Sequence, residues 1–423
     1  MKKVMLKTTL SLAVTLASTQ IFAAGFAINE QSISGMGTGF AGRSSSADDA
    51  STIYGNPAGM SRIKREQVSG GTAMLDAHTD ISKASSSPNS GTNKGDMVPF
   101  IAVPMGYYVK PIDDHWAVGI GMYAPFGLIT KYENGFAGRY FGSESNVKVV
   151  TLQPTVSYAF NDKVSIGFGP TINRIDGTLE SNISATQAAP DGQVKIKGDD
   201  TALGYNIGVL VQATDNTRVG LTYHSKVKYK LDGDTKVNYG LLGVLGQSVN
   251  QKYDASLDLT TPESVDFSVT HQIDDKWTVY AGSTWTRWSQ LQAITVENKG
   301  VPTALSGQFS TITEEQNWHD TWAHAIGVSY QLNKQWVLRS GLSVDQAPTN
   351  NVDRSPRIPT GDRKAISFGA GYSPTDDLTI DVAYSYLREE SVNVSNSNAQ
   401  GQTYNAKYQN WASGFGVGAT YRF

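Results

Sequence analysis

The sequence predicts an all-β transmembrane barrel of 14 antiparallel strands with an N-terminal, partly helical plug in its lumen, and three observations predict it. The last ten residues, "GFGVGATYRF", put Phe415, Val417, Ala419, Tyr421 and Phe423 on one face of a strand, with Gly414, Gly416, Gly418, Thr420 and Arg422 on the other. Six short turn signals alternate with seven longer polar segments along most of the chain. The 423 residues are only 39% apolar yet include 42 glycines, 20 tyrosines and 8 tryptophans. That apolar fraction is below the roughly 45–50% of soluble domains, as suits a wall in which every second residue meets lipid.

Residues 1–23 carry Lys2, Lys3 and Lys7, an apolar run from Thr8 to Ala17, and then "TQIFA". This order reads as a secretory signal cut between Ala23 and Ala24, because the run is too short for a bilayer core of roughly 30 Å. Residues 24–66 are the expected plug and 67–423 the barrel. The short turns are "PIDDH" (111–115), "NDK" (161–163), "TDNT" (214–217), "DDK" (274–276), "NKQ" (333–335) and "PTDD" (374–377). The long segments span roughly 82–97, 133–145, 183–201, 234–254, 298–317, 349–362 and 396–408. Tight turns at one end and long loops at the other are the asymmetry of an outer-membrane barrel. Trp116, Trp277 and Trp336 follow short turns, and Tyr107, Tyr108, Tyr158, Tyr330 and Tyr372 stand shortly before others. Together they predict an aromatic girdle at the periplasmic interface.

Side chains alone fill a barrel of about eight strands, so 14 strands leave a lumen to be occupied. The stretch "ADDASTIYGNPAGM" (47–60) supplies short helices around a proline turn. Ser46 is the expected cap of a helix whose first turn holds Asp48 and Asp49, and Pro57 ends the helical run. Strand three, "WAVGIGMYAPFGLITKY", contains Pro125, which removes a ladder donor where a closed barrel has no free edge. It marks either a kink that opens the wall sideways or a proline just above the membrane band.

Removing the three signal lysines takes the formal charge from −3 to −6, so no basic character points to nucleic acid. The absence of cysteine excludes disulfides and thiolate metal sites. The six histidines are scattered, and His319 and His324, five apart, face opposite sides of one strand. Without a nucleophilic triad, a phosphate loop or a metal-spaced cluster, neither an outer-membrane lipid enzyme nor a metal or other cofactor is expected. A general porin would lack the plug, and an adhesin would carry longer loops.

The stretches "AGFAINEQSISGMGTGFAG", "ADDASTIYGNPAGM" and "YAPFGL", with the aromatic C-terminus, resemble the FadL-type long-chain fatty acid transporters of the Gram-negative outer membrane, whose relatives take up aromatic hydrocarbons. Asn56, Pro57 and Ala58 stand at the family's Asn-Pro-Ala motif. The resemblance implies a passive transporter that works as a monomer: cargo captured at external loops, a plug acting as a hatch near Asn56–Ala58, and lateral exit at Tyr123, Pro125, Phe126 and Gly127. It also implies basic residues for a cargo carboxylate, to which His319 in "NWHDTW" and Arg174 in "PTINRID" correspond by position. Arg174 has the parity of the lipid face, whereas Arg339 and Arg363 have inward parity and join the candidates, as does Phe26. The apolar loop segments "GLLGVLG" (240–246) and "YENGFAGRYFG" (132–142) form either a capture groove or self-packed loops. Phe423 matches the terminal signal read by the barrel assembly machinery. Aromatic hydrocarbons as cargo, or export of hydroxylated fatty acids, stay open beside fatty acid uptake.

Overall fold

The computed structural model describes residues 25–423 apart from 89, 184–190 and 243–246, so the expected export signal lies outside the described residues. The strands are β1 (Gln67–Ser87), β2 (Ile101–Pro111), β3 (Trp116–Lys131), β4 (Glu144–Ala159), β5 (Val164–Ile183), β6 (Gly192–Thr214) and β7 (Thr217–His224). There follow β8 (Val227–Leu242), β9 (Gln247–Thr261), β10 (Ser264–Gln272), β11 (Trp277–Thr286), β12 (Ala293–Lys299) and β13 (Thr311–Glu315). The last six are β14 (Thr321–Gln331), β15 (Trp336–Asp345), β16 (Arg363–Tyr372), β17 (Leu378–Glu389), β18 (Val392–Ser397) and β19 (Thr403–Arg422).

Fourteen of them close an antiparallel ring: β1 to β7 in order, then β10, β11, β14, β15, β16, β17 and β19, which returns to β1. The expected strand count therefore holds. The remaining five extend the wall at the loop end, where the β8–β9 hairpin pairs with β6, β12 and β13 build on β9, and β18 lies on β19. Several expected loops are consequently too long. Ser85–Ser87 still pair with β19, Gly192–Thr201 with β5, and much of 234–254 belongs to the β8–β9 hairpin. Above the lipid both faces of a strand meet water, so the period-two signal vanishes while backbone pairing continues.

All six short turns fall at the other end, and four share one device. Asp113 Oδ1 accepts the N–H groups of His115 and Trp116 at 2.8 and 2.7 Å, and Asp274 Oδ1 those of Lys276 and Trp277, both at 2.8 Å. Asn161 and Asn333 repeat the pattern. A short side chain that mimics a turn of backbone explains why these turns were legible. Each of the three turn tryptophans meets its cross-strand tyrosine: Trp116 and Tyr158 at 4.7 Å, Trp277 and Tyr330 at 4.5 Å, Trp336 and Tyr372 at 4.5 Å between ring centres. Tyr107 is a correction to the expected girdle, because it is buried in the lumen and donates to the Gln31 carbonyl at 2.8 Å. Its neighbour Tyr108 takes the opposite face and donates to Glu66. Ile120, Phe168, Ile207, Leu342, Phe368 and Val417 stand exposed on the outer face, the apolar band that lipid requires.

Residues 25–63 pack against the inner face of the ring, and Arg65 reaches Asp377 and Phe423 at the short-turn rim. They form α1 (Ile33–Gly37), α2 (Thr52–Gly55) and a 3₁₀ turn (Pro57–Arg62). Ser32 caps α1, its Oγ accepting from the Gly35 N–H at 3.1 Å. The expected Ser46 cap is absent. Ala47 takes a φ of 51° and turns the chain before α2 begins, and Asp49 ties this turn instead, accepting from the Ser51 N–H at 2.8 Å and the Ser34 hydroxyl at 2.6 Å. The Asn56 backbone is extended and its Oδ1 accepts from the Ala58 N–H at 3.0 Å, so Pro57 opens a new turn where its missing donor costs nothing.

Inward glycines let this segment touch the wall. A Cβ at Gly208 would stand 1.9 Å from Asn56 Oδ1, and one at Gly341 would stand 2.1 Å from the Thr38 backbone. Here the glycines serve close approach rather than a turn.

Candidate functional site

The barrel wall is interrupted between β2 and β3. Their pairing runs only from Pro111↔Ala117 to Gly106↔Met122. Past that point Ile101–Met105 stay with β1, and β3 stays with β4 after a register shift between Tyr123 and Phe126. Ala124 and Pro125 sit in this bulge, so the proline interrupts no rung there. Three residues of the N-terminal segment line the exposed edge. The Ile28 N–H donates to the Pro125 carbonyl at 2.8 Å, the Gly127 N–H donates to the Phe26 carbonyl at 2.8 Å, and Gln31 Nε2 donates to the Ala124 carbonyl at 2.6 Å. Tyr123 is buried in the lumen against Gln153 and Asn206.

Phe26 links this edge to an apolar cavity. Its ring lies 5.7 Å from Phe126, 5.1 Å from Trp288 and 6.1 Å from Trp318. The cavity continues toward the loop end between Leu128 of β3, Val147 of β4, Ile175 and Leu179 of β5, Leu231 of β8, Leu257 and Leu259 of β9, and Leu291 and Ile294. Lys197, Ser256, Glu314, Gln316 and Arg357 supply its polar atoms. Beyond them lies a second, more polar groove, walled by Tyr140, Asn182, Gln308, Phe309, Asn398 and Gln402 among others.

Of the expected cargo contacts, only Phe26 lines this cavity. Arg174 keeps its lipid-side parity, since no bulge intervenes between it and Phe168's face, and its Nη2 lies 2.7 Å from Asp199 on the outer rim. His319 is exposed, while its neighbour Trp318 turns inward. Arg339 and Arg363 point into the lumen as expected, but each meets a buried acid. Arg339 Nη1 lies 2.6 Å from Asp381 and Arg363 Nε 2.8 Å from Glu389. Sequence reasoning missed Arg357, Glu314 and the leucines of β8 and β9. Arg357 follows a proline in an aperiodic loop and carries no parity signal, whereas Leu231, Leu257 and Leu259 flank the segment 234–254 that was read as a loop, so nothing along the chain pointed them at a shared cavity.

The "YENGFAGRYFG" loop packs partly on itself and partly on β19 and Asp191, and its Tyr140 walls the outer groove. Tyr132 stacks on Phe136 at 3.8 Å and Phe136 meets Tyr404 at 5.3 Å, while Arg139 and Tyr140 both bond Asp191. Burial opposes the Asp191 carboxylate, but the bonds from Tyr140 and Arg139 outweigh it and hold its pKa below the ordinary aspartate value. Residues 243–246 of the other apolar loop lie outside the described residues. Among the described residues no cluster of three or more potential metal ligands occurs.

A closed 14-stranded barrel with an occupied lumen, an apolar belt and an interior cavity is the architecture of an outer-membrane protein. The chain belongs to the family described as outer membrane protein transport protein (OMPP1/FadL/TodX), whose profile matches residues 14–423. It is 29% identical to the long-chain fatty acid transport protein of Escherichia coli O6:H1 (strain CFT073) over 100% of this chain and 99% of the relative. It is also 29% identical to outer membrane protein P1 of Haemophilus influenzae Rd over 90% of each. The crystal structure of a Pseudomonas aeruginosa FadL homologue superposes with a TM-score of 0.85 at 27% identity, covering 95% of this chain and 100% of the other. The Ralstonia pickettii toluene transporter TbuX shares the fold, with a TM-score of 0.67 at 19% identity over 88% of this chain and 94% of its own.

Proposed function

We propose that this protein carries long-chain fatty acids passively across the outer membrane, from the external groove through the apolar cavity and out sideways at Pro125. The observation that carries this reading is the double position of Phe26, which ends the cavity and belongs to the three residues lining the break between β2 and β3. A chain that fills the cavity competes with Phe26, and it shifts the segment only by binding the displaced state better. The magnitudes allow it. Burying 16 carbons at about 0.8 kcal/mol per CH₂ gives a gross gain of about 12 kcal/mol, whereas the backbone bonds at Phe26 and Ile28 are worth about 1 kcal/mol each.

The hatch moves about Asn56–Ala58. Asn56 Nδ2 donates to Ser44 and Val209 carbonyls at 2.7 and 2.9 Å, joining the plug's own chain to the wall. Net flux follows the gradient, the protein works as a monomer, and the exposed Phe423 serves as the signal to the assembly machinery. The printed name of the E. coli relative supports a fatty acid cargo. The four aromatic rings at the inner end favour aromatic hydrocarbons as the second reading.

The test is uptake of labelled palmitate and toluene by cells lacking their own transporter. Pro125→Val, which gives the bulge an N–H able to recruit a partner across the break, and Gly127→Trp, which blocks the gap, are each expected to lower palmitate uptake at least fivefold while the barrel still assembles. Unchanged flux in both variants would sink the lateral route. Toluene uptake without palmitate uptake would move the cargo to the second reading.

A further inference from the structure

The inner cavity and the outer groove meet at six shared side chains: Leu179, Ile196, Ile294, Val296, Glu314 and Arg357. Four are aliphatic, so the path between the two spaces is apolar except for one ion pair across it. Arg357 Nε lies 2.9 Å from Glu314 Oε2. The two residues come from elements that share no ladder. Glu314 is the penultimate residue of β13, and Arg357 belongs to the loop between β15 and β16 that turns inward over the cavity with Ile358. Arg357 is nearly fully buried, and its Nη1 donates to the Glu144 carbonyl and the Ser145 hydroxyl, both at 3.0 Å. Glu314 Oε1 accepts from Ser355 at 2.8 Å and from Gln316 at 3.3 Å, so it keeps two donors if the arginine leaves.

We propose that the Arg357–Glu314 pair is an exchangeable latch between groove and cavity, opened by a cargo carboxylate that takes Glu314's place on Arg357. A neutral hydrophobe must separate these partly buried charges and replace neither, which leaves an uncompensated guanidinium in an apolar throat. A carboxylate supplies the same planar acceptor that it displaces, and Arg357 can hold it with parallel N–H donors. Affinity then comes from the apolar walls, and preference for acids over neutral chains comes from the latch. Two other buried lumen pairs, Arg339–Asp381 and Arg363–Glu389, line neither space and play no role in this exchange. The inference rests on the fatty acid reading above and adds a residue-level selectivity to it.

The test compares binding of palmitate and 1-hexadecanol, equal in length and unequal in charge, to the purified full chain in detergent. Heat-modifiable mobility on gels verifies that each variant is a closed barrel. Arg357→Gln is expected to weaken palmitate by about 10- to 100-fold, the span of one charge-assisted hydrogen bond, while hexadecanol changes less than about twofold. Glu314→Gln, nearly the same shape, removes the competitor and is expected to tighten palmitate about threefold or more. Arg357→Lys is expected to keep a reduced preference for the acid. Equal shifts for both ligands in Arg357→Gln, or weaker palmitate binding in Glu314→Gln, would overturn the latch and leave the transport reading intact. Binding of neither ligand by the unaltered protein would overturn the fatty acid reading and the latch with it.

Discussion

The two seams nearest the N-terminal segment are built to opposite ends. Where β1 meets β19, 19 residue pairs run from Gln67↔Arg422 to Ser87↔Thr403, broken by one shift near Ser82. Where β2 meets β3, six pairs run from the short turn to Gly106↔Met122 and then stop. The first seam closes the ring and carries it beyond the lipid. The second leaves β3 without β2 beyond Met122, and the chain's own residues 26–28 line that edge. An open edge is a liability for a barrel. Here that edge lies beside the apolar cavity, at the place where the proposed lateral route would meet lipid.

The sharpest way to break this comparison uses the absence of native cysteine. Ala27 and Phe126 are antiparallel bridge partners, at a separation that suits a disulfide. The double variant Ala27→Cys/Phe126→Cys is expected to abolish palmitate uptake when oxidised and to regain it with reductant. A matching pair at Thr72 and Val417, across the complete seam, is expected to leave uptake unchanged in both states. Block by both cross-links would show that the seams do not differ in function.

A smaller effect separates the seam from the seat of the plug. Gly208→Ala drives a methyl against Asn56, which is bonded on both sides, so the plug shifts at a cost of about 1–3 kcal/mol. Ion conductance in planar bilayers is expected to rise. A Cβ at Gly106, the last pair before the break, meets nothing within 4 Å, and Gly106→Ala is expected to conduct like the parent. Equal conductance in the two variants would mean that the Asn56 seat does not hold the plug.

The smallest expected effect lies in the external loops. A carboxyl whose pKa is lowered on folding stabilises above its unfolded value, near 3.9, and loses that contribution as pH falls through the folded value. The Asp191 clamp on Arg139 and Tyr140 is therefore expected to hold at neutral pH and to loosen below about pH 4. Protease cleavage within residues 132–142 as a function of pH reads this directly. Cleavage that is independent of pH would remove Asp191 from the account.

Much of this was legible along the chain. Period-two alternation in β19 and side chains that cap their own turns at Asp113, Asn161, Asp274 and Asn333 are local physics, and they specified the strand count and the end at which each turn lies. Asn56 and Pro57 announced a turn for the same reason. The start of the plug's second helix was less readable, because the left-handed residue that displaced the expected Ser46 cap is an alanine, whose identity carries no such signal.

What only the tertiary structure decided is which side chains meet. Arg339 and Arg363 had the right parity and were claimed by Asp381 and Glu389, partners some 26 to 42 residues away in sequence that no local pattern pairs with them. Arg357 had no parity at all, yet a loop folded inward places it against Glu314 at the one polar point of an apolar path. Strand period and turn chemistry are properties of a few adjacent residues, so the sequence by itself determined a barrel of this size. Register, bulge and loop docking minimise the free energy of the whole ring at once, and through them the fold alone decided where β2 parts from β3 and which acid meets Arg357 beside the cavity.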